Sequence, residues 1–153
     1  MSFGILLAAA AAAVAVFWAY ASAASRRRLA AVQTALVRTV LPAVLSGTDS
    51  EAGSFCRSGA KAALYLLGRR KALRLKVDIA ARSQGEAAAA AMLLAEGLAA
   101  ALRVQKEKIK ADPGLARAAG AAQKAVLTAA GDRGWLSGDD LGEAREAMKD
   151  ALS

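Results

Sequence analysis

Residues 3–28 read FGILLAAAAAAVAVFWAYASAASRRR, and the reading of this stretch decides how the rest of the chain is organised. No charged side chain precedes Arg26. From Phe3 to Ala24 almost every side chain is apolar, and a helix of that length rises roughly 33 Å, enough to cross the hydrocarbon of a bilayer. The stretch predicts a transmembrane anchor over residues 1–25, with all that follows tethered to it.

Two small-residue signatures, Ala19-Tyr20-Ala21 and Ala21-Ser22-Ala23, have the form of signal-peptide cleavage sites. The flanks point the other way. A secretory signal carries its positive charge ahead of the apolar run, whereas here Arg26, Arg27 and Arg28 follow it. The expected element is an uncleaved anchor with its amino terminus outside and its carboxyl-terminal domain in the cytoplasm, as in a single-pass protein of a bacterial inner membrane. Phe17, Trp18 and Tyr20 fall in the turns just before the arginines, where amphipathic rings favour the headgroup level. Ala8 to Ala13 is an unbroken run of small side chains, of the kind that lets helices approach closely in lipid.

Charge is distributed unevenly behind the anchor. Arg26 to Arg82 holds 12 basic and 3 acidic residues, and Ser83 to Ser153 holds 9 basic and 10 acidic ones, so the net +8 belongs to the half nearest the membrane. Basic juxtamembrane residues are attracted to anionic headgroups by about 1 kcal/mol each. Arg69, Arg70, Lys71, Arg74 and Lys76 make the densest cluster and are the expected anionic-surface contact. No aromatic residue interleaves them to stack on bases, which leaves nucleic acid the weaker candidate partner.

With 153 residues in all, the part beyond the anchor has room for one small domain. Its expected class is all-α: a juxtamembrane amphipathic stalk over residues 26–47, then an Ala-rich helical domain over 48–153. Leu29, Val32, Leu36, Val40 and Val44 recur at helical spacing, so the anchor helix should run on as that stalk, packed on the domain or lying along the lipid, until Pro42 kinks or ends it. Thr48-Asp49-Ser50-Glu51 and Ser83-Gln84-Gly85-Glu86 have the capping-box pattern. They predict one helix from about Thr48 to Gly68, with Phe55, Ala62, Ala63, Leu66 and Leu67 inward, and another from Ser83 to about Ala111. Leu73, Leu75, Val77 and Ile79 alternate with polar residues as a strand would, but no second segment alternates to pair with them, so helix is preferred. Ala87 to Leu102 is short for a membrane crossing and carries Glu96, which favours a bundle helix. Asp112-Pro113 marks a helix start, and Ser137, followed by Asp139 and Asp140, marks the last one.

Constellations that carry chemistry are few. The chain has no His, and Cys56 is its only cysteine, which removes intramolecular disulfides and His-containing zinc sites. Cys56 has no base to activate it, and Asp132, Asp139 and Asp140 do not follow calcium-loop spacing. The expectation is a protein without catalytic, metal or cofactor sites, acting as a structural or assembly subunit that oligomerises or docks a partner at the anionic membrane surface. The topology of one amino-terminal span and a short charged helical tail also resembles some small phage holins, as does the run from Lys124 to Leu152. That resemblance implies membrane permeabilisation as an alternative activity; a membrane-tethered nucleic-acid adaptor is a further one.

Overall fold

The computed structural model describes residues 2–153, and every regular element among them is helical. Helix α1 (Ser2–Ala35) passes through a π-helical turn, Leu36–Val40, into α2 (Leu41–Leu45). There follow α3 (Ser50–Arg69), α4 (Lys71–Gln84), α5 (Glu86–Val104), α6 (Lys106–Ala111), α7 (Pro113–Asp132) and α8 (Gly138–Asp150). From Phe3 to Leu45 the helix is unbroken for 43 residues and has a mean hydropathy of 2.1 over its most apolar window. It is long and apolar enough to cross a membrane.

The second half of this helix belongs to the core. Val32, Leu36, Val40 and Val44, the periodic positions of the expected stalk, are all buried against the bundle. Pro42 neither ends nor breaks the helix, contrary to expectation. A proline clashes with the carbonyl one turn before it, and the π turn at Leu36–Val40 widens that turn, with the Leu41 amide donating to the Leu36 carbonyl. The helix then continues to Leu45 and stops at Ser46-Gly47.

Helix α5 is the centre of the bundle, touching α3, α4, α7, α8 and the lower half of the long amino-terminal helix. Its apolar run is spent inside the protein: Ala88 to Ala91, Leu93 to Ala95, Leu98 and Leu102 are buried. Close packing replaces bulk in this core. A Cβ on Gly59 would stand 2.9 Å from Leu98 Cα, and one on Gly97 would stand 2.6 Å from the Ala63 amide nitrogen and strike the Gly59 carbonyl oxygen. Residue numbers rise together across this contact, so α3 and α5 lie parallel, with α4 returning between them.

Several helix boundaries differ from the sequence reading, each for a local reason. The cap of α3 is Asp49, whose carboxylate accepts from the Ala52 amide at 2.9 Å, while the Thr48 hydroxyl turns back to the Leu45 carbonyl. Ser83 does not cap α5: its hydroxyl donates to the Ile79 carbonyl, α4 runs on to Gln84, and Gly85 makes the break with φ +102°. Only glycine adopts that conformation without strain. At the far end Gln105 interrupts the expected run to Ala111. Residues 73–79 are helical, and Leu73, Val77 and Ala80 form the inward side of α4. Asp112 caps α7 as expected, accepting from the Gly114 and Leu115 amides.

Candidate functional site

The amino-terminal part of α1 stands clear of the bundle. Phe17, Trp18 and Tyr20 remain 67%, 68% and 73% exposed, and the side chains begin to be covered only near Ala21. Arg26 and Arg27 are exposed, whereas Arg28 turns to the bundle. Its Nε donates to Asp78 Oδ1 at 2.6 Å and its Nη2 to Oδ2 at 3.3 Å, a two-point contact across fifty residues of sequence. Asp78 is 6% exposed and is the one charged residue in the core among the described residues. The hydrogen bond from Arg28 holds its carboxyl below the usual carboxylate range against the opposing effect of burial, with further help from the Arg28 and Arg82 charges. Burial of a charge is costly unless it is paired with good geometry. The pair therefore joins the root of the apolar helix to α4 at a defined rotation.

The five residues of the basic cluster differ in their surroundings. Lys76 is bonded to Glu143 at 2.9 Å and lies 3.6 Å from Glu96, and the Glu143 hydrogen bond is the main cause of its raised pKa. Arg74 donates to the Leu67 and Gly68 carbonyls at 3.2 and 3.1 Å, satisfying the end of α3. Arg69, Arg70 and Lys71 project outward, with the Arg69 guanidinium 5.1 Å over the Tyr65 ring. A residue outside the cluster joins them. Because α3 and α5 are parallel, the last turn of α5 brings Arg103 beside Arg70, and with Tyr65, Leu66 and Val104 they line a groove of about 410 Å³. The parallel register that places Arg103 there is a property of the fold, which no local signal in the sequence carries.

Cys56 is fully buried, with Sγ 4.0 Å from the Ala122 carbonyl oxygen. Burial pushes its thiol up to about 11, outweighing the charge of Arg57. A surface depression of about 560 Å³ between α2 and the end of α7 is lined chiefly by small residues together with Lys124, Asp132 and Arg133.

The fold thus defines an all-α bundle with a protruding apolar amino-terminal helix that is continuous with its core. No protein family, curated protein or solved structure matches this chain.

Proposed function

We propose that this chain is a single-pass membrane protein in which the exposed part of α1 is the anchor. In this reading the bundle is a non-catalytic structural or assembly unit held against the anionic cytoplasmic surface. The observation that carries the reading is the contrast within one helix. Residues 3–20 leave their large apolar side chains uncovered, whereas Val32, Leu36, Val40 and Val44 on the later turns are buried in the bundle core. A contiguous apolar surface of this extent marks a membrane or protein contact. The flanking Arg26 and Arg27 set the amino terminus outside by the positive-inside rule.

The anchor positions the bundle rather than merely retaining it, since one continuous helix runs from the anchor into the core and is joined to it by the buried valines and Arg28. A unit held in this way is suited to presenting one face to a partner or to further copies of itself. The test is membrane fractionation followed by purification in mild detergent. Retention through alkaline carbonate extraction, with a partner or a defined oligomer in detergent, is expected. A chain that carbonate releases, or a strict monomer with no copurifying protein, overturns the reading. Loss of membrane potential on induced expression would instead favour a holin-like activity.

A further inference from the structure

We propose that the groove between the last turns of α3 and α5 seats an anionic phospholipid of the membrane in which α1 is anchored. The phosphate would lie against Arg70 and Arg103, with acyl chain over Leu66 and Val104 and along the edge of Tyr65. The proposal rests on the anchor reading above and adds to it a lipid site.

Three observations converge. First, the groove has the composition of a lipid contact: Val104 is 87% and Tyr65 61% exposed, unusual for such side chains, the Arg70 and Arg103 side chains line the groove with them, and the Arg69 guanidinium lies over the Tyr65 ring. Arginine side chains bring planar, multiple donors to a phosphate. Second, Arg74 already caps the α3 carbonyls. The negative end of that helix is thereby offset, and Arg70 is left to an outside ligand. Third, the groove lies towards the end of the bundle from which the anchor leaves. The α2 side of the long helix packs beside Thr128 to Arg133, at the end of α7, and α3 starts there. Sixteen residues before Val44, Arg28 meets the middle of α4, so the helix climbs from that end towards the one where α3 and α5 finish. The same end carries α6, whose Lys106, Lys108 and Lys110 outnumber Glu107 and leave that end net positive.

The site is tested on the full chain in nanodiscs of phosphatidylcholine with increasing phosphatidylglycerol. A spin label is placed by Val104→Cys; buried Cys56 stays unlabelled, which the parent chain checks. Phosphatidylglycerol is expected to shield the label from a water-soluble nickel chelate and raise its contact with oxygen, while pure phosphatidylcholine leaves it aqueous. Arg70→Gln or Arg103→Gln should raise the phosphatidylglycerol fraction for half-protection about fivefold. Equal exposure in both lipids, indifference to the arginine substitutions, or protection that follows the number of copies per disc overturns the groove site. The last outcome would assign the groove to a second chain. Release by alkaline carbonate overturns anchor and groove together, whereas carbonate-resistant protein with an aqueous label overturns the groove alone.

Discussion

Replacing Gly97 by Ala tests whether the bundle depends on the contact between α3 and α5. In an ordinary helix interior this change is favourable by about 1 kcal/mol, because alanine loses less backbone freedom on folding. Here the new methyl group would stand 2.6 Å from the Ala63 amide nitrogen and closer still to the Gly59 carbonyl oxygen, against 3.4 Å or more for ordinary contact, so the helices must separate by at least about 0.8 Å. Backbone cannot turn aside as a side chain can. A gap of that size forfeits roughly a quarter to a half of the dispersion attraction of each contact it opens, and overpacking of cores costs about 1–3 kcal/mol. Placing this site at the upper end and subtracting the propensity gain leaves a net loss of about 2 kcal/mol. For a chain of this size that is a fall in Tm of roughly 6 °C. The assay is thermal melting followed by helical circular dichroism in mild detergent. Gly120→Ala is the companion variant, since nothing lies within 4 Å of its Cβ position; it should melt about 3 °C higher. A Gly97→Ala chain melting at or above the parent would refute the close-packing argument.

Other outcomes follow from single side chains. The Asp78 carboxyl is held below its ordinary range, so its contribution is present above the unfolded pKa and is lost as pH falls through the folded one. The difference in Tm between the parent and Asp78→Asn should therefore narrow as pH is lowered from neutral to below the usual carboxylate range, and a constant difference would remove the pair from the stability argument. Asp112→Ala removes a cap that accepts two amides and should cost about 1 kcal/mol in a denaturant titration; an unchanged midpoint would count against that cap. Cys56 should resist maleimide at neutral pH until the chain is unfolded, since its thiol is buried and raised to about 11; rapid labelling of the native chain would contradict its placement.

The helical class, the long amino-terminal helix and the inward face of the stalk were all readable as periodicity, since Val32, Leu36, Val40 and Val44 repeat at the spacing of one helix face. The Asp112-Pro113 start was readable because cap and first-turn proline are local chemistry. Residues 73–79 were ambiguous for a physical reason. Their alternation does not follow burial: Leu75 and Ile79 lie exposed on α4 while Asp78 is buried, and Arg74 and Lys76 find partners along its sides. Asp78 lies inside only because Arg28 reaches it from fifty positions away. The one available hint was its place as the single acidic residue between Glu51 and Glu86. The meeting of Gly59 with Gly97 depends on the parallel register of α3 and α5. That register also assembles the groove, so Arg103 could not be assigned to it from spacing.

The unbroken helix from Phe3 to Leu45 has a mechanical consequence. A loop at the membrane surface would let a domain swivel, whereas this helix, braced at Arg28, makes the bundle a lever whose fulcrum is near Ser25. The arm from there to Leu45 is roughly 30 Å, so a tilt of about 10° would carry the lower end about 5 Å sideways. Helices change tilt with bilayer thickness. In the proposed membrane setting, lipid composition would thus be read out as displacement of the bundle, and two packed anchors would impose a fixed angle between their bundles.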